Sequence, residues 1–310
     1  TIKAISHDWD KSFPNDPVVV SEFAIGAEIV AVNRRAKVLL IELSTDYTFM
    51  VHLRMTGQLV YVSHKREAPK ANFQITNKFK KPNNKYSIIK QLGFDDSDLG
   101  FTPAVEQRFG AGHPNDSLIG TLPDRSTRVI VTFSDGSVLF FNDQRKFGWM
   151  KLLPKALVSE DAFMQKVGPE PLEAAFSDVL FTKRVRRRPK TSIKAVLLDQ
   201  TVLAGVGNIY ADESLWGAMI HPARQVESLT DSELAALHHE LIYVLKLAIE
   251  KGGSTDRNYV NAEGKKGSYI DFARVFRREG LECSRCSSVI EKYRVAGRGT
   301  HVCPSCQKKA

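Results

Sequence analysis

The four cysteines of the sequence, Cys283, Cys286, Cys303 and Cys306, form two C-x2-C pairs separated by 16 residues. Each pair can close a turn that aims two sulfurs at one metal. Four thiolates complete a tetrahedral shell, so the spacing predicts one structural Zn2+. Two disulfides are the competing reading, but nothing in the sequence suggests secretion, and a zinc site places the chain in a reducing, cytoplasmic setting. A second chemical stretch is Leu203-Ala-Gly-Val-Gly-Asn-Ile-Tyr-Ala-Asp-Glu-Ser214. Its glycines break one helical run and Asn208 opens another, which leaves backbone N–H groups and a positive dipole end free to face an anion. No third glycine follows, the stretch comes after a helix instead of a strand, and no Gly-Lys-Ser/Thr is present. Dinucleotide and P-loop readings therefore fail. The third stretch, Lys183-Arg-Val-Arg-Arg-Arg-Pro-Lys190, carries six basic residues in eight. Alone it could be a solvated linker, yet it immediately precedes the glycine-broken helix pair. Together they suggest that the anion is a nucleic-acid phosphate, met by Asn208, the N–H groups near Gly207, and Lys190.

The elements that must hold these residues follow from the patterning. The 310 residues carry a net charge of +9, with 43% hydrophobic and 25% charged residues, as in a water-soluble globular protein with a polyanionic partner. No apolar run has the length of a membrane span, and the opening residues do not read as a leader. Short β-rich runs at 27–32, 38–43, 48–53 and 58–62, then a hairpin at 128–141 turning on Ser134-Asp-Gly-Ser, predict a β-sandwich. Between them, 63–120 is rich in Lys, Asn, Pro and Gly and reads as a loop insertion, partly disordered.

From about Ser159 the period becomes helical. Thr191–Leu198 and the run after Asn208 read as helices. Thr230-x-x-Glu233 is a capping box opening a helix with a Leu234, Leu237, Leu241 and Val244 stripe, stopped by Gly252-Gly253. His238 and His239 on that helix read as packing or surface residues. The tail reads as a hairpin over the metal, with strands near 292–295 and 301–302. The fold class is thus α+β, divided into a sandwich at 1–155, a helical DNA-binding unit at 156–268 and a zinc ribbon hairpin at 269–310.

Six motifs occur in one order: Arg34-Arg-Ala-Lys37, His52-Leu-Arg-Met-Thr-Gly-Gln-Leu59, Asp143-Gln-Arg-Lys-Phe-Gly148, Gly168-Pro-Glu-Pro-Leu172, the Asn208 segment and the cysteine ribbon. In this order the sequence resembles the formamidopyrimidine-DNA glycosylase family, which includes endonuclease VIII, over nearly all of its length outside 63–120. The resemblance implies a sandwich and a helix-two-turn-helix domain flanking a DNA cleft. It also implies a bifunctional base-excision repair enzyme that everts an oxidised purine from double-stranded DNA, excises it through a Schiff base and nicks the strand. It makes Lys37 a catalytic lysine near the sugar and phosphates, and pairs Asn208 with Arg298 on the phosphates beside the lesion. Met55, Arg145 and Phe147 become the side chains that fill the void and bind the orphaned base, Arg145 presenting donors to cytosine. Glu213 would help organise the lesion cleft, although capping or packing serves equally well, and the loop 261–268 would close over an everted purine. The family also implies a monomer.

Three departures accompany the resemblance. The family's nucleophile is an N-terminal proline amine followed by glutamate, whereas Thr1 opens this sequence; about seven residues before it and a start within the first helix are expected. Ser126-Thr-Arg128 stands where a histidine-rich segment is expected, and 63–120 is extra. Two other functions stay open: preference for oxidised pyrimidines, as in endonuclease VIII, and non-catalytic binding of damaged DNA.

Overall fold

A computed structural model describes residues 1–63, 108–112, 120–253 and 268–309. The chain starts in β1 (Ile2–His7), and the first helix is α1 (Pro17–Phe23), capped by Asp16, whose carboxylate accepts from the Val18 N–H. This corrects the expectation of a helical start: β1 pairs antiparallel with β7 (Thr127–Phe133) and buries Ile2 in the sandwich. There follow β2 (Ile29–Arg35), β3 (Val38–Leu43), β4 (Tyr47–His52), β5 (Gly57–Val62) and β6 (Arg108–Gly112). After β7 come β8 (Val138–Asp143) and β9 (Trp149–Pro154).

The strands form two sheets, ordered β1-β7-β8-β5-β6 and β2-β3-β4-β9. Their inner faces meet in one core. Ile41, Phe49, Val51 and Leu152 from one sheet pack with Leu59, Val129, Val131 and Phe141 from the other. Period-two alternation produces this arrangement, because a strand can bury only alternate side chains against the facing sheet. Strand β6 lies inside the stretch read as an insertion, so that reading holds no pairing strand where the structure has one. Arg-Phe-Gly-Ala-Gly looks like loop, but Gly112 sits at φ +120°, and a Cβ there would lie 2.5 Å from the Gly57 carbonyl oxygen. Close backbone approach explains the glycine. The rest of 63–120, and residues 261–267 of the proposed closing loop, lie outside the described residues.

The helical part comprises α2 (Asp178–Val185), α3 (Ile193–Leu198), α4 (Asn208–Gly217) and α5 (Asp231–Glu250). Thr230 and Glu233 exchange side-chain-to-backbone hydrogen bonds as a capping box at the start of α5, worth about 1 kcal/mol on the Thr230 side. Leu234, Leu237 and Leu241 face Phe181, Ile193, Leu197 and Leu215 in a second core. His238 packs between the Phe176 and Phe181 rings and His239 is exposed, in line with packing and surface roles. Gly252 and Gly253 end the helix at φ +70° and +90°. The tail pairs β10 (Glu291–Val295) with β11 (Arg298–Val302), and a third small core joins Trp216 of α4 to Val275, Ile290, Cys283 and Cys303.

Candidate nucleic-acid interface

Three strands end at the same edge of the second sheet. Val38 pairs with His52 across β3 and β4, and His52 pairs with Trp149 across β4 and β9. The turn carrying Lys37, the turn after His52 and the loop before Trp149 therefore share one end of the sandwich.

The Lys37 turn touches the helical domain. Ala36, at φ +54°, donates its N–H to the Glu170 carboxylate, which also meets Arg34 and lies 3.2 Å from the Arg35 guanidinium. Arg35 also donates to the Gly168 carbonyl at 3.0 Å, and Lys37 Nζ donates to the Val206 carbonyl at 3.1 Å. Lys37 keeps some exposure, but its ammonium lies in the seam between domains, against Val206 and Gly207. Burial there, followed by the Arg298 charge, lowers its pKa below the ordinary 10.5. The sequence reading overlooked Glu170, because its partners lie some 130 positions away in the chain.

Asn208 begins α4, whose first-turn N–H groups have no partners inside the helix. Its Nδ2 donates to the Gly299 carbonyl at 3.0 Å, and that carbonyl also accepts from Lys194 Nζ at 2.9 Å. Gly299 directly follows exposed Arg298, so helix start and hairpin strand are tied at the arginine. Beneath them runs a buried polar chain. Lys194 Nζ lies 2.6 Å from Asp212, both fully buried; Asp212 accepts from the His301 N–H at 3.0 Å; His301 Nε2 lies 3.2 Å from Glu279. Burial lowers the Lys194 pKa, against the opposing pull of Asp212. A lysine within an apolar helical run reads as surface, and so this network was missed.

Met55 and Phe147, on two neighbouring loops, are 49% and 56% exposed. Arg145 joins them: its guanidinium stacks 5.0 Å from the Phe147 ring centroid and lies 3.4 Å from Met55 Sδ. Buried Asp143 builds the platform. Its carboxylate accepts from the N–H groups of Arg145, Phe147 and Gly148 and from the Thr56 hydroxyl beside Met55. His52 fixes the other loop, accepting from the Arg54 N–H at 2.9 Å. Burial, then the charges of Arg54 and Lys37, push the pKa of His52 down to about 4, so it remains a neutral acceptor.

Two expected contacts take a different form. Glu213 is fully buried and accepts from the N–H groups of Arg274, Val275 and Phe276. It offers no surface to DNA and instead anchors the segment leading into the hairpin. In the basic run, Arg184 and Arg186 point inward to carbonyls of Val202, Thr201, Val226 and Leu229, and Arg188 meets Asp199. Lys183, Arg187, Arg188 and Lys190 stay exposed, Arg188 beside Asp199. Lys190 is thus available to a phosphate, while half of the run staples the helices.

The cysteine sulfurs all lie within 4.8 Å of one another, with separations of 3.4 Å for Cys286–Cys303 and Cys286–Cys306 and 4.0 Å for Cys283–Cys306. A tetrahedron with Zn–S bonds of about 2.3 Å has edges near 3.8 Å, so the four thiolates fit zinc. Gln307, fully buried, ties the knuckle to the helices by accepting from the Cys303 N–H and donating to the Ile220 carbonyl.

Family models match the chain in three places: a formamidopyrimidine-DNA glycosylase N-terminal domain over 1–96, the H2TH domain of the same family over 167–259, and a zinc finger found in FPG and IleRS over 280–309. The formamidopyrimidine-DNA glycosylase of Latilactobacillus sakei is 35% identical over 309 residues, covering 100% of this chain and 91% of the relative. The chain belongs to the formamidopyrimidine-DNA glycosylase family. A Streptococcus pneumoniae formamidopyrimidine-DNA glycosylase is 47% identical over 188 residues, 60% of this chain and 68% of the relative. Among solved structures, the Lactococcus lactis Fpg complex with abasic-site DNA matches with a TM-score of 0.73 and 30% identity, covering 99% of this chain and 92% of the other. A MutM complex with carbocyclic 8-oxo-G DNA matches equally well, at 0.73 and 30%, covering 100% and 92%. In the family's terms, the ribbon is its zinc finger, and the H2TH match over 167–259 spans α2 to α5. Among the described residues, no helix is long and apolar enough to cross a membrane.

Proposed function

We propose that the chain is a base-excision glycosylase and abasic-site lyase acting on oxidised purines, such as 8-oxoguanine and formamidopyrimidines, in duplex DNA. The single observation that carries this reading is the gathering of Lys37, Asn208 and Arg298 in one seam, at the end of the sandwich that also presents Met55, Arg145 and Phe147. Units 1–155, 156–268 and 269–310 would clasp the duplex as a monomer; a cytoplasmic site at the bacterial nucleoid suits that task.

The chemistry follows from reach. A glycosidic carbon is inaccessible within the stack, so the nucleotide must rotate out. Met55 and Phe147 fill the gap, and Arg145 offers donors to the orphaned cytosine. Arg298, Asn208 and the α4 N–H groups hold the flanking phosphates, with Lys37 adding charge beside the sugar. An amine then attacks C1′, the base departs as the Schiff base forms, and loss of a C2′ proton expels the 3′ phosphate. The proline and glutamate that the family pattern assigns to attack and ring opening are not among these 310 residues. Lys37 has the place that the family pattern gives it, beside the sugar and phosphates. Zinc, when bound, holds the hairpin and with it Arg298.

Incubating the native protein with an 8-oxoguanine·cytosine duplex under borohydride tests this. Excision and a covalent protein–DNA adduct are expected. Tight binding with neither product would leave a damage-binding protein, and faster release of oxidised pyrimidines from matched duplexes would favour the endonuclease VIII-like reading.

A further inference from the structure

Arg128, in the segment that departs from a histidine-rich pattern, occupies a β-bulge where the β7–β8 register shifts between Thr127 and Val129. Bulges re-aim side chains, and here the guanidinium is turned into the protein, 4% exposed. Nε donates to the Asp143 carbonyl at 2.9 Å, Nη2 donates to the Arg125 carbonyl, and Nη1 pairs with the Asp8 carboxylate. The main chain of Asp143 is held a second time, its N–H donating to the Ser126 carbonyl at 2.7 Å. Asp143 is the residue whose carboxylate joins the Met55 loop to the Arg145–Phe147 loop.

We propose that Arg128 is a positioning residue for the void-filling loops. It clamps Asp143 against Asp8, just past β1, and the turn at Arg125, and so fixes how deeply Met55 and Phe147 enter the duplex and how squarely Arg145 faces the opposite base. The inference rests on the proposed function and deepens it by naming a determinant of opposite-base discrimination. The geometry suits arginine: three acceptors lie in three directions around one rigid fork, which neither a lysine point charge nor a neutral imidazole can satisfy together. Asp8 closes the clamp from outside, bordering an open pocket of about 290 Å³, so changing it disturbs no packed core.

The test uses Arg128→Lys and Asp8→Asn in the zinc-loaded protein. It measures single-turnover excision of 8-oxoguanine opposite cytosine and opposite adenine. Alongside, it follows fluorescence of 2-aminopurine next to the base facing a tetrahydrofuran site, affinity for that duplex, and thermal stability. A misplaced loop should cut the cytosine-over-adenine preference about tenfold in Arg128→Lys and damp the 2-aminopurine signal, with Asp8→Asn moving the same way by less. Affinity should change by less than about threefold, because the phosphate contacts are elsewhere. Unchanged preference and fluorescence with lowered stability would overturn the proposal, making Arg128 purely structural. Equal loss of affinity for damaged and undamaged DNA would overturn it too, making Arg128 a phosphate contact. Wild-type protein that neither excises nor alters 2-aminopurine would instead sink the proposed function.

Discussion

Lys37 sits where its charge is both needed and costly. Desolvation and then the Arg298 charge lower its pKa, so it sheds its proton at a lower pH than a surface lysine, and a bound phosphate would oppose that loss. Affinity for an abasic duplex should therefore begin to fall on the alkaline side below pH 10.5, and Lys37→Arg should move that fall upward; titrating affinity against pH checks it. His52 has the opposite exposure to acid. Its folded pKa of about 4 lies below the ordinary 6.5, so as pH drops through that window the unfolded chain takes up a proton that the folded one refuses. Stability is then present above about pH 6.5 and lost towards pH 4. His221 and His238, also lowered by burial, add to the loss. Melting temperatures followed from pH 7 to 4 should show a shallower decline in His52→Asn, whose amide oxygen can still accept from Arg54.

At the scale of elements, the hairpin is coupled to α4 through Asp212, which faces Lys194 on one side and His301 on the other. Asp212→Asn leaves the buried lysine without its counter-charge, and removing one partner of a buried pair costs about 3–5 kcal/mol. Calorimetry should show that loss, and zinc should exchange faster as the hairpin loosens. How much of this was legible depended on the range of the signal. The strands read between 27 and 62 and at 128–141, the capping box and the ribbon follow local periodicity and spacing, and they stand close to where the sequence puts them, whereas β9 was not read. The basic run misled because charge density carries no direction: Arg184 and Arg186 spend their donors on carbonyls inside the helical domain. Strand β6 was hidden by glycines that serve backbone approach, and the buried Lys194 by a helical run with nothing to mark its partner across the chain. The opening strand was hidden because Ile2-Lys-Ala-Ile5 shows no clean period-two alternation, its register shifting between Ile2 and Ala4.

Across the whole molecule, phosphate grip and void filling belong to different parts. The seam of Lys37, Asn208 and Arg298 joins both domains to the ribbon, whereas Met55, Arg145 and Phe147 belong to the sandwich alone. That separation makes their contributions divisible. The direct measurement compares affinity for a tetrahydrofuran duplex with affinity for the same undamaged duplex, across a range of salt, for wild type, Arg298→Ala and the double variant Met55→Ala/Phe147→Ala. Arg298→Ala should weaken both and reduce the salt slope by about 1, as for one lost phosphate contact. The double variant should keep the slope and lose most of the preference for the damaged duplex. Proportional losses in both variants, or a preference that survives removal of Met55 and Phe147, would contradict the account.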